Sequence, residues 1–138
     1  MHLKVSRYSA DIIPGGVYTI PVMASIGLDE TAAWKRYREV KIGRAKFHEI
    51  ARGQISDIRT GLLKSVADPT GESLLGVQNI GGSATELIHV GQMALQHVAT
   101  IDSFVENIFN SPTLAETSRV AALDIVGQRQ KRFVSTAT

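Results

Sequence analysis

From Ala33 to Val66 the apolar residues Ala33, Tyr37, Val40, Phe47, Ala51, Ile55, Ile58, Leu62 and Val66 recur at steps of three, four or seven. Such spacing places them on one narrow stripe of an α-helix. Asp29 stands where an N-cap is wanted, Glu30 falls in the first turn, and Asp68-Pro69 supplies a stop, because proline lacks a donor and restricts the residue before it. The pattern predicts one helix over residues 29–67. At 1.5 Å per residue it would run about 57 Å. A compact globule of this length is only about 40 Å across, so the helix would overhang its own domain. Gly43, Gly53 and Gly61 are the points where it would kink or break.

The same stretch is strongly basic. Lys35, Arg36, Arg38, Lys41, Arg44, Lys46, Arg52, Arg59 and Lys64 face only Glu39, Glu49 and Asp57, a net of +6. From Val66 to Val126 seven acids meet the single Arg119, a net of −6, and Arg129, Lys131 and Arg132 make the tail basic again. The total of +2 therefore conceals a dipolar chain. Charge divided in this way favours an oppositely charged partner: the protein's own acidic half, a second copy, or a polyanion.

Upstream, Leu3 and Val5 alternate with polar residues, and Val17-Tyr18-Thr19-Ile20 follows Pro14-Gly15-Gly16. Residues 1–26 are expected to form a short β-hairpin or extended arm, with Pro21 holding its second strand to an edge. Residues 69–82 read as a glycine-rich loop around Leu74, Leu75, Val77 and Ile80. Ser83 and Glu86 have capping-box spacing for a second helix over 83–110, which contains no lysine or arginine after Glu86 and so reads as the central buried one. Ser111-Pro112 opens a third helix over 112–126, followed by the basic tail 127–138. The expected fold is mainly α: one domain, in which a hairpin or arm precedes three antiparallel helices and the first is long. The 138 residues suffice for one core of moderate size.

No run of eighteen apolar residues and no apolar leader are evident, so the chain reads as soluble, cytoplasmic or virion-associated. Without cysteine there is no disulfide or thiolate chemistry. His2, His48, His89 and His97 lack zinc-like spacing, and no nucleophile elbow or phosphate-binding loop occurs. Asp102 and Glu106, four apart on one helix face, read as a solvated stripe. No catalytic residue, cofactor or metal is therefore expected, and the chain reads as a non-enzyme.

Arg44 lies within the apolar stripe and must snorkel or pair, with Glu86, Asp102 and Glu106 as candidate acids. Trp34 precedes Arg38 by one turn, an aromatic among cations that suits an interface anchor. Two readings follow. In the first, the chain is a structural subunit of a homo-oligomer or larger assembly, by analogy a virion component, connector or secretion-type apparatus. Its contacts would lie at Trp34, Tyr37, Arg38, Arg44, Leu74 and Leu75. In the alternative, it binds nucleic acid, with Lys35, Arg36, Arg38, Lys41, Arg52, Arg59, Arg129, Lys131 and Arg132 tracking the phosphate backbone.

Overall fold

In the computed structural model, which describes residues 12–135, the basic stretch is not one helix but five short elements. Helix α1 (Glu30–Tyr37) is capped by Asp29, whose carboxylate accepts the Ala32 N–H at 2.7 Å. It ends at Arg38, which takes a left-handed conformation with φ 60°. Strand β3 (Lys41–Lys46) follows, then a 3-10 turn at Phe47–Glu49, the five-residue helix α2 (Ala51–Ile55) and strand β4 (Leu62–Ala67). The expected loop 69–82 holds strand β5 (Leu74–Ile80). Upstream lie β1 (Gly15–Val17) and β2 (Met23–Gly27).

The mainly α expectation is thus corrected to an α/β fold built on a five-stranded antiparallel sheet in the order β1-β2-β5-β4-β3. The cause lies in the numbers. A step of four is one helical turn and also two repeats of a strand's period of two, so Leu62 and Val66 share a strand face as readily as a helix stripe. The apolar "stripe" is the coincidence of several elements, each with its own buried face.

The expected hairpin is also rearranged. Its first strand, around Leu3 and Val5, lies outside the described residues; the hairpin observed pairs Gly15–Val17 with Met23–Gly27. Between β4 and β5, the Asp68 carboxylate accepts the backbone N–H groups of Glu72 and Ser73 at 2.8 and 3.0 Å. Asp68-Pro69 therefore ends a strand, not a helix.

The expected second helix is two: α3 (Ala84–Gln96) and α4 (Ile101–Glu106). Ser83 makes no side-chain cap, whereas Thr100 caps α4 by accepting the Ser103 N–H. The third, α5 (Glu116–Ser135), starts four residues later than expected and runs through Gly127 without stopping. Among the described residues no helix is long and apolar enough to cross a membrane.

Helices α3 and α5 lie on one face of the sheet, α3 over β2 and β5 and α5 over β3 and β4, with α4 against α5. The main core between these layers contains Ile26, Phe47, Leu63, Ile101 and Ile125. Glycine permits the closest approach: a Cβ on Gly43 would fall on the Ala121 carbonyl of α5, and one on Gly91 would stand 2.8 Å from Val77 Cγ2. On the opposite face α1 forms a smaller cluster in which Ala33 meets Ile42 and Val66.

Candidate functional site

Strand register shows how far α1 covers the second sheet face. One row across the strands is Gly27, Gly76, Val66 and Ile42; the latter two are buried with α1. The next is Gly15, Ser25, Gln78, Lys64 and Arg44, and the one after it is Val17, Met23, Ile80, Leu62 and Lys46. These two rows remain uncovered and, Lys46 apart, line a concavity of about 590 Å³. Glu30 of α1 reaches its rim, 3.2 Å from Lys64 Nζ and 3.5 Å from Arg44 Nη2.

The other layer presents a second surface, the outer side of α3. Glu86, His89, Met93 and His97 follow one another at steps of three and four and are exposed. Met93 keeps 55% of its surface, and Val98, just past the helix, 85%. Each histidine is hydrogen bonded locally: His89 Nδ1 lies 2.8 Å from Gln92 Oε1, and His97 Nδ1 lies 2.8 Å from the Met93 carbonyl.

Charged residues flagged from the sequence are dispersed. Trp34 and Lys35 lie beside a shallow groove with Asp29 and Glu30. The guanidinium of Arg36 sits 5.5 Å above the Tyr37 ring, and Arg38 closes α1 by donating its backbone N–H to the Trp34 carbonyl. Leu74 is buried in the main core, and Leu75 packs against the α1 cluster. Arg44 pairs with Glu30 rather than with Glu86, Asp102 or Glu106, and its backbone N–H donates to Asp124 at 3.0 Å.

The array drawn for a phosphate backbone does not form along one helix. Lys35, Arg36 and Arg38 belong to α1 and its cap, Lys41 to β3, Arg52 to α2 and Arg129 to α5. Lys41 lies 3.5 Å from Glu39, and Arg59 lies 2.9 Å from Asp57. Lys131 and Arg132 are in α5. Arg129 is spent on Asp102, donating from Nη1 and Nη2 at 2.9 and 2.8 Å to both carboxylate oxygens. This fork lowers the Asp102 pKa, chiefly through the hydrogen bond, and the same bond raises that of Arg129. Asp102 is thus a tie between α4 and α5, not half of a solvated stripe with Glu106.

This fold is also seen in solved structures. Over 86% of this chain, LpdA from Mycobacterium tuberculosis matches with a TM-score of 0.78 at 21% identity. The HOCl-induced flavoprotein disulfide reductase RclA from Escherichia coli, as its Cu(II) complex, matches over 85% at 0.74 and 19%. These likenesses establish the fold, and the chain covers 26% and 27% of those structures.

Residues 13–122 match the family model of the pyridine nucleotide-disulphide oxidoreductase dimerisation domain, and the chain belongs to that family. Soluble pyridine nucleotide transhydrogenases are among its relatives. That of Colwellia psychrerythraea is 42% identical over 115 residues, 81% of this chain and 25% of the relative. That of Klebsiella pneumoniae is 37% identical over 124 residues, 88% and 27%. The chain spans about a quarter of the length of these enzymes.

The family overturns the reading as a non-enzymatic virion, connector or secretion component, because its members are oxidoreductases. It likewise gives no support to the nucleic-acid alternative or to contacts with other kinds of subunit. Self-association is the part of the expected partnering that the family carries. The reason the enzyme class escaped sequence reasoning is chemical: a domain whose family is defined by dimerisation need carry no nucleophile elbow or phosphate loop.

Proposed function

We propose that this chain is the self-association domain of an oxidoreductase of the soluble transhydrogenase type, which moves reducing equivalents between pyridine nucleotides. The observation that carries this reading is the 42% identity to such an enzyme over 115 residues, within a family defined by dimerisation. The chain's share of the work is to hold two copies together.

The outer side of α3 is the surface that suits this role. A two-fold contact lays one patch on its own copy, so any like charges within it meet across the axis. Between Glu86 and Asn110 there is no lysine or arginine, and Met93 and Val98 offer apolar surface. The concavity on the sheet, lined by Arg44 and Lys64 with Glu30 paired to both at its rim, offers no comparable cation-free apolar face.

Light scattering tests both statements. The chain is expected at twice its own mass, and Met93→Arg, which places a cation on each side of the axis, is expected at the monomer mass with an unchanged circular dichroism spectrum. A monomeric wild type would overturn the function; a dimeric Met93→Arg would overturn the surface.

A further inference from the structure

The outer side of α3 also carries side chains that ligate metals. Glu86, His89 and Met93 are the exposed residues of the helix itself, and the exposed His97 caps its end. Glu86 and His89 stand three apart on one face, the Glu-x-x-His spacing that lets a carboxylate and an imidazole of one helix reach the same cation. Among the described residues the Glu86 carboxylate has no ion pair. Both imidazoles are already oriented. The Met93 carbonyl can only accept, so His97 donates to it from Nδ1 at 2.8 Å, and Gln92 Oε1 accepts from His89 Nδ1 at the same distance of 2.8 Å. A neutral histidine held in that tautomer keeps a bare lone pair on Nε2. A hydrogen bond from the other ring nitrogen is the usual support of a metal-bound imidazole.

Within one chain these groups do not close on a cation: among the described residues no three of His, Cys, Asp and Glu are placed to hold one. A second copy changes this. At about 1.5 Å per residue, His89 and His97 lie about 6 Å to either side of Met93 along the helix axis. A two-fold axis at Met93 that sets two α3 helices antiparallel therefore brings His97 of the partner subunit level with His89 and within one turn of Glu86. The ligand spacing that the histidines lack along the sequence is supplied across the axis.

We infer that each end of this pairing holds a divalent zinc-type cation, bound by Glu86 and His89 of one chain and by His97 of the partner subunit. This rests on the reading of α3 as the surface of self-association. Two imidazoles and one carboxylate are a donor set that zinc accepts, with a fourth position left to water. The ion also brings positive charge to a stretch that has none of its own, one ion for each Glu86.

The test adds zinc to the untagged chain after EDTA treatment. Equilibrium dialysis is expected to show about one ion bound per chain, as the two-fold axis requires. Sedimentation is expected to show a dimer dissociation constant lower by about tenfold or more with zinc than in EDTA. His89→Ala and His97→Ala should each lose both effects, with unchanged circular dichroism spectra. The two variants are then co-expressed, and mixed dimers are confirmed by native mass spectrometry. There Glu86 and His89 of one chain meet the His97 that its partner retains, so one complete site forms again and zinc binding returns, although neither variant binds zinc alone.

A dimeric chain that takes up no zinc would overturn the inference. So would mixed dimers that bind none, or zinc retained by both single variants, which would mark adventitious surface binding only. If an alanine variant does not fold, His89→Gln or His97→Gln takes its place. A dimer indifferent to zinc defeats this inference alone. A chain that is monomeric in EDTA defeats the function proposed above, and pairing of that chain by zinc would leave this inference standing.

Discussion

At the scale of single residues, two polar groups set testable costs. Asn79 keeps 3% of its surface, and neither its Oδ1 nor its Nδ2 has a hydrogen-bond partner among the described residues. Its neighbours in register are Ala24 and Leu63, both in the main core. A buried amide left unpaired costs about 1–3 kcal/mol. Asn79→Leu, close in shape and free of that cost, is expected to raise stability by roughly 1 kcal/mol in urea unfolding; a loss would show that the amide is satisfied by water.

Asp102 offers the opposite case. Arg129 holds its pKa below the ordinary value, so the folded state binds this proton less readily than the unfolded one. The stabilisation is complete above the unfolded pKa and disappears as pH falls through the folded value. Asp102→Asn should therefore cost about 1 kcal/mol at neutral pH, the upper range for a pair half open to solvent. The difference from wild type should shrink on acidification below about pH 4, and a difference independent of pH would exclude the ion pair as its source.

Among the elements, legibility followed whether a sequence pattern has one structural meaning. The α1 start was readable because Asp29 followed by a helical run is a local signal that the structure keeps. Its end was not, because the left-handed turn falls on Arg38 rather than on a glycine. Strands β3 and β4 were hidden by the shared step of four, and Arg44, placed on a helix stripe by that error, in fact occupies an alternate position of β3. Its need for an acid was legible; the choice of Glu30 was not, since it depends on α1 folding across the sheet. Gly43 appeared as a weak point in a helix, whereas it is where α5 touches β3. Gly43→Ala is accordingly expected to destabilise by about 1–3 kcal/mol through overpacking, measured as a lower urea midpoint. An unchanged midpoint would mean that α5 can lift from the strand at no cost.

For the whole molecule, the charge division remains informative after its first interpretation has gone. The basic segment is distributed over the end of α1, β3, α2 and β4, and several of its cations meet nearby acids, as Lys41 meets Glu39, Arg59 meets Asp57 and Lys64 meets Glu30 of the first turn of α1. The cation-free stretch after Glu86 looked like a central buried helix, yet α3 has an exposed side. Lack of cations there is what a helix needs if it is covered by its own copy instead of by its own core. The proposed α3 contact is consequently expected to respond little to salt. The screening length shortens to about 3 Å at 1 M, which weakens attraction between opposite charges but leaves apolar burial intact. Raising salt should leave the dimer mass of the isolated chain unchanged by light scattering. A chain that dissociates as salt rises would instead be held by its opposed charges, and the assignment of self-association to α3 would fall.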